Sequence, residues 1–242
     1  METETPGISV VVPIYNEAEN AAALAREIDS VLRTAGEPYE LIFVDDASTD
    51  GGAEVLDALR LVTLRVVRHA RNCGQSAAVA SGFRAARAEW VATLDGDGQN
   101  DPADLPAMLA MARAESADCV TGVRRGRQDN WLRRVSSRVA NGFRNWLTGD
   151  RISDSGCGVR VLRREALREV PVFNGMHRFL PTLLRGQGFR VLERPVNHRP
   201  RLRGVSKYGV HNRLWRGIRD CFGVRWYLSR AIPGGREQAP PA

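Results

Sequence analysis

Across its first half the chain alternates short apolar, β-branched runs with longer helix-patterned segments, and that alternation leaves few folds open. Ile8–Ile14 (ISVVVPI), Tyr39–Val44 (YELIFV), Leu64–Val67 and Trp90–Leu94 (WVATL) read as buried strands, and Cys119–Gly122 as a short one. Between them, Asn16–Leu32, Ser48–Leu59, Gln75–Ala86 and Asp104–Ala114 read as helices. The first carries Ala22, Leu24, Ile28 and Val31 on or near one face. Strands alternating with helices predict an α/β domain whose mostly parallel sheet is covered on both faces. Such sheets bind ligands beyond the carboxyl ends of their strands. The polar clusters fall there: Tyr15-Asn16-Glu17, Asp45-Asp46 and Asp95-Gly96-Asp97.

The second half is less regular. Trp131–Leu147 and His211–Arg230 read as amphipathic helices, His177–Gln187 as a helix and Phe189–Val196 as a strand. Asp154–Val161 is Gly-rich and loop-like, Arg199–Gly209 is a basic Gly/Pro loop, and Gly234–Ala242 reads as a disordered tail. The charge divides with the pattern. Residues 1–120 hold 9 basic and 20 acidic side chains, and residues 121–242 hold 26 basic and 8 acidic. The acidic half suits a cation and the basic half suits phosphates, the bland alternative being solvated helix faces. That basic half has 25 arginines to 1 lysine, and arginine grips phosphate in a two-pronged fork.

Cys73, Cys119, Cys157 and Cys221 are far apart, with neither zinc spacing nor a disulfide framework, so each reads as a small core residue. His69, His177, His198 and His211 show no ligand spacing; His177, in Met-His-Arg-Phe, is the best placed of them. Trp131, Trp146, Trp215 and Trp226 lie in the basic half, in the core or at a membrane interface. Residues 1–7 are not a signal peptide, and no apolar run reaches the ~18–20 residues of a membrane span. Any membrane contact is therefore expected to be peripheral or through a partner.

Asp95-Gly96-Asp97-Gly98-Gln99 carries the strongest chemistry. Two carboxylates two residues apart after an apolar strand project into one crevice, where a hard divalent cation would relieve their repulsion. The alternative is a plain acidic turn. Asp45-Asp46 can accept hydrogen bonds from a base or ribose, while Ser48 or Asp50 caps a helix. Tyr15 offers a ring face for a base, and Asn16 could equally be an N-cap with Glu19 as its box partner.

Together VVPIYNEAEN, FVDDASTDG and LDGDGQNDP resemble glycosyltransferase family 2. TGVRRG at Thr121–Gly126, RRVSSRVAN at Arg133–Asn141, SDSGCGVRVLRR at Ser153–Arg164 and RGVSKYG at Arg203–Gly209 are similar to its dolichyl-phosphate mannosyltransferase and bacterial polyprenyl-phosphate branch. The resemblance covers about residues 8–228. It implies a GT-A, Rossmann-like domain over residues 1–230, with a nucleotide-sugar half at 8–122, an acceptor half with membrane-facing amphipathic helices at 123–230, and a tail at 231–242.

The implied activity is inverting, metal-dependent transfer of a sugar from a UDP- or GDP-linked donor to a polyprenyl phosphate, for envelope glycan or lipid A modification. Pro13, Tyr15, Glu17, Val44 and Asp46 would hold the nucleoside, with Asp95 and Gly96 by the diphosphate. Asp97 and Gln99, with Asp95, would ligate Mg²⁺ or Mn²⁺. Arg124, Arg201 and Lys207 would reach donor or acceptor phosphates, Arg133 and Ser137 would grip the lipid phosphate, and Asp154 would position the sugar, with Asp97, Arg124, Asp154 and Lys207 as the implied catalytic set. The implied location is peripheral, on the cytoplasmic face, docked on anionic lipid or through a small integral membrane protein. Many bacterial members continue into transmembrane helices.

Three other readings compete. A nucleic-acid binder would suit the pI near 9.9, but the acidic strand ends and the lack of a reader motif oppose it. A nucleotidyltransferase would show a Gly-rich, Lys-containing loop after the first strand, where Tyr15-Asn16-Glu17 stands. A dinucleotide oxidoreductase would carry G-x-G-x-x-G there, and none is present.

Overall fold

The computed structural model describes residues 5–125, 141–200 and 210–231, with side chains for all of these except 210–216. Seven strands form one sheet: β1 Ile8–Ile14, β2 Tyr39–Asp45, β3 Leu64–Arg68, β4 Trp90–Thr93, β5 Cys119–Arg124, β6 Arg160–Arg163 and β7 Val191–Val196. Their order is β3-β2-β1-β4-β6-β5-β7. Every pairing is parallel except those of β6, which runs antiparallel to both β4 and β5.

The helices are α1 Ala18–Ala35, α2 Gly52–Asp57, α3 Gln75–Ala85, α4 Leu105–Ala114, α5 (helical residues 141–148), α6 Leu180–Gly186 and α7 Val210–Arg230. In α1, Ala21, Leu24, Ala25, Ile28 and Leu32 recur at helical spacing and are buried. The buried stripe therefore passes through Ala21 and Leu32, beside the expected Ala22 and Val31. Gly36, at φ 69°, ends the helix in a left-handed cap that a side chain would strain. With Leu41, Phe43, Met108, Leu109 and Val161, this stripe packs the first core face. Val79, Leu162, Leu180, Leu183, Leu184 and Val224 pack the second. Each such aliphatic side chain contributes roughly 1.5–3 kcal/mol by leaving water.

Several sequence expectations need correction. β6 falls partly in the Gly-rich segment read as a loop, because four residues with arginine at both ends lack an alternating pattern. The expected helix His177–Gln187 is a 3-10 turn, Met176–Arg178, followed by α6, since Pro181 suits the first turn of a new helix. On α7, Cys221 and Val224 are buried, whereas Phe222 and Trp226 are 56% and 66% exposed. Cys73 is exposed, unlike the three buried cysteines.

Candidate active site

The first two strand ends are sewn together. The Asn16 backbone N–H donates to Ser48 Oγ (2.9 Å), and Thr49 N–H donates to Asn16 Oδ1 (2.7 Å). Asp50 accepts from Ala18 N (2.8 Å) and Gly52 N (3.0 Å), so one carboxylate serves the first residues of both α1 and α2. These contacts replace the expected caps: Glu17 and Gly51 hold the N-cap positions and neither uses a side chain. Asn16 and Ala47 sit at positive φ, 51° and 61°. Such strain persists where surrounding contacts over-determine it, commonly at functional sites.

Asp46 is 2% exposed, and its carboxylate is occupied by the protein. It accepts from Cys73 N (2.8 Å) and Gly74 N (2.7 Å) and bonds His69 Nδ1 (2.7 Å). Its direct effect is to hold the 69–74 loop, which leads into α3. Tyr15, by contrast, exposes 37% of its surface.

The third strand end folds against the first. A side chain at Gly96 would meet Ile14 Cγ2 and Pro13 O at 2.8 Å, so only glycine lets the loop after β4 lie on the end of β1. Asn100 Oδ1 accepts from Asp95 N (2.8 Å), and Asp97 Oδ1 from Gln99 N (3.1 Å). Gln75, on α3, donates to Asp95 Oδ1 (3.0 Å). Burial, then the charge of Asp97, pushes the Asp95 carboxyl up to about 6, against the pull of Arg160, Arg124 and Gln75. Two carboxylates that resist joint ionisation are the donor set that a hard cation stabilises.

The segment before β6 closes the other side. Thr93 Oγ1 donates to Gly158 O (2.7 Å), placing Gly158 directly against the Asp95 carboxylate. Arg124 clamps Asp154 through two parallel bonds, Nε to Oδ2 and Nη2 to Oδ1, both 2.7 Å. Burial works against the arginine charge, but the Asp154 contact outweighs it and raises the Arg124 pKa. The structure thus joins Arg124 and Asp154, which the sequence had assigned separate tasks. After β7, Arg199 N donates to Gln99 O (2.8 Å) and its guanidinium pairs with Glu27 and Asp101. The start of the basic loop is fastened beside the carboxylate loop. Arg133, Ser137, Arg201 and Lys207 lie outside the described residues.

The sequence reading missed two groups. Arg160, 4% exposed, sends a buried cation toward Asp95 from β6. Ser76 accepts from Gly175 N (2.9 Å) and bonds His177 Nδ1 (2.7 Å), tying the 3-10 turn to the N-terminus of α3. The spacing of GVRVLRR gives no sign of the first, and only the fold brings Ser76 to His177.

The sequence profile of glycosyl transferase family 2 matches residues 9–171. The chain belongs to this family. A dodecaprenyl-phosphate galacturonate synthase of Rhizobium johnstonii is 36% identical to this family member over 236 residues, 94% of the chain and 69% of the relative. An undecaprenyl-phosphate 4-deoxy-4-formamido-L-arabinose transferase of Edwardsiella ictaluri is 36% identical over 206 residues, 84% of the chain and 63% of the relative. The chain therefore spans about two thirds of the length of these relatives, and within the family they point to the polyprenyl-phosphate branch.

Solved structures agree on the GT-A fold. A glucosyl-3-phosphoglycerate synthase from Mycobacterium tuberculosis, in complex with Mn²⁺, UDP and phosphoglyceric acid, has a TM-score of 0.71 at 19% identity, over 95% of this chain and 81% of that one. A mannosyltransferase from Pyrobaculum calidifontis, in complex with GDP-mannose and Mn²⁺, has a TM-score of 0.60 at 21% identity, over 95% and 71%.

Proposed function

We propose that this family 2 protein transfers a sugar from a nucleoside diphosphate donor, UDP- or GDP-linked, to a polyprenyl phosphate, with inversion at the anomeric carbon. The observation that carries the reading is the desolvated Asp95 carboxyl, which feels the charges of both Asp97 and the Arg124 of the Arg124–Asp154 clamp. The acceptor class follows the two curated relatives, both of which are polyprenyl-phosphate enzymes by name.

Asp95, Asp97 and Gln99 would hold Mg²⁺ or Mn²⁺, and the raised Asp95 pKa fits a pair built for a cation. When bound, such an ion neutralises charge on the departing diphosphate. The exposed ring of Tyr15 would stack on the base, with Pro13 and Glu17 beside it, the fully buried Val44 backing the pocket from the core, and Asp46 shaping it through the 69–74 loop. Asp154 takes both Arg124 bonds, so it is cast as an orienting group: it aims a cation at the phosphates. A lipid phosphate is already anionic at neutral pH and needs positioning more than a strong base. Arg133 and Ser137 are proposed for that phosphate, and Arg201 and Lys207 for the donor diphosphate.

The proposed location is the cytoplasmic membrane face, docked peripherally on anionic lipid, with a small integral membrane protein as the alternative anchor. Among the described residues no helix is long and apolar enough to cross a membrane. The test is transfer of label from a panel of nucleotide sugars to undecaprenyl phosphate in detergent. One donor should yield organic-phase label that disappears with EDTA and in Asp97→Ala. Donor hydrolysis without any lipid-linked product would overturn the acceptor class, and full activity of Asp97→Ala would overturn the assigned metal ligands.

A further inference from the structure

Three elements bring unlike ligand groups together behind the crevice. Asp46 follows β2, His69 follows β3, and Cys73 precedes α3. One carboxylate oxygen, one imidazole nitrogen and the thiol sulfur lie within 4.8 Å of one another. Among the described residues no other such group of three His, Cys, Asp or Glu side chains occurs. The Asp95–Asp97 loop offers hard oxygen donors, whereas this cluster mixes oxygen, nitrogen and sulfur. That mixture suits a borderline-soft ion at bond lengths of about 2.0–2.3 Å, which would take the place of the direct Asp46–His69 hydrogen bond.

We propose that Asp46, His69 and Cys73 form a second metal site, for a divalent cation of the zinc class, separate from the Asp95–Asp97 loop. The supporting shell is already in place. Ser81 Oγ lies 2.9 Å from His69 Nε2, so it can accept the Nε2 proton when Nδ1 turns to the ion. Asp46 is fixed by Cys73 N and Gly74 N, which hold both of its oxygens in orientation. Cys73 is exposed, giving the ion a way in and leaving a fourth position for water. Its thiol now donates to Arg71 O (3.3 Å). On binding, the S–H proton is released to solvent and the metal–sulfur bond forms. One thiolate and one carboxylate then balance the two positive charges, and the histidine binds as a neutral ligand through Nδ1 with its proton on Nε2. Loaded, the ion would fasten the end of β2 to the entry of α3. Asp46 also shapes the proposed base pocket through the 69–74 loop, so the site is tested by metal binding and not by sugar transfer.

Cobalt(II) and zinc(II) titrations of the purified full chain test the idea. One equivalent of Co²⁺ should give a thiolate-to-cobalt charge-transfer band in the near ultraviolet, stronger at mildly alkaline pH because a proton leaves. Zn²⁺ should displace it and raise the melting temperature of the apoprotein. Cys73→Ser, an isosteric change at an exposed position, should lose both the band and the zinc-dependent rise. Ser81→Ala should weaken binding by roughly 10-fold, as losing an outer-shell partner does. Asp97→Asn, which removes a ligand of the other site, should leave the thiolate band and its one-equivalent end point in place. No band in the wild type, a band that persists in Cys73→Ser, or a band lost in Asp97→Asn would each overturn the proposal, leaving the cluster as a hydrogen-bonded wall.

Discussion

Gly158 lies so close to Asp95 that any side chain on it would overlap the carboxylate. The hydrogen bond from Thr93 to the Gly158 carbonyl fixes that approach. Gly158→Ala must therefore push Asp95 or the β6 backbone aside. Overpacking of this kind costs about 1–3 kcal/mol of stability. A shift on the order of 1 Å in a reacting group can cost about 10²-fold in rate. The expected result is a folded protein, by circular dichroism, with strongly reduced sugar transfer and weakened Mn²⁺ dependence. Wild-type turnover in a folded Gly158→Ala protein would show that the position of Asp95 does not govern the reaction.

Arg124 and Asp154 meet through two parallel bonds and should act as one unit. Arg124→Lys keeps the charge but cannot make both contacts. It should lower turnover by roughly 10²-fold, the scale of losing an aimed donor at an active site. Asp154→Asn should do comparable damage by leaving the guanidinium misdirected. The double mutant should then fall little below either single mutant, a coupling on the order of 1–3 kcal/mol. Turnover measured across the four proteins decides it. Additive losses would mean that the two residues work independently.

The strand–helix alternation made the first half of the fold legible, because buried parallel strands are written as continuous apolar runs such as ISVVVPI. The strand-end carboxylates were legible for the same reason, since their positions follow from where the strands stop. β6 was not, because Arg160 and Arg163 bound a strand of only four residues inside a Gly-rich stretch. Partners were less legible still. Asn16 reads as a helix cap in sequence, yet its side chain takes the Thr49 amide 33 residues away. Arg124 with Asp154, Asp46 with His69, and Ser76 with His177 are all contacts that only the packed sheet creates.

His177 gives the fold a pH signature. Burial, reinforced by the charges of Arg178 and Arg160, lowers its pKa to about 3. In the unfolded chain the imidazole titrates near its ordinary value, about 6.5. Between those values the unfolded state binds the extra proton and the folded state does not. Stability contributed by neutral His177 is thus complete above about pH 6.5 and is lost as pH falls toward 3, by up to about 1.4 kcal/mol per pH unit. His177→Gln removes that slope. Urea unfolding at pH 7 and pH 5 should show the wild type losing more stability than the mutant, by on the order of 2 kcal/mol. Equal losses in the two proteins would mean that His177 can take up a proton without unfolding.

Trp146 is 74% exposed on α5, with the Phe143 ring 6.1 Å away, and Trp226 and Phe222 are exposed on α7. The two helices meet where Arg225 Nη1 donates to Leu147 O (2.9 Å). Aromatic side chains left in water on adjoining helices, with Arg219, Arg225 and Arg230 exposed on α7, suit the headgroup layer of a membrane. A basic residue near an anionic surface adds about 1 kcal/mol, while indole burial is insensitive to salt. The two contributions can therefore be separated. Flotation with anionic liposomes should recover the protein at low salt and less of it at high salt. Trp146→Ala with Trp226→Ala should reduce recovery at both salt concentrations. Arg219→Glu should reduce it chiefly at low salt. The core should be unaffected, because Trp146, Trp226 and Arg219 are all exposed. Recovery that does not change in the double tryptophan mutant would remove these rings from the interface and leave docking to a partner protein.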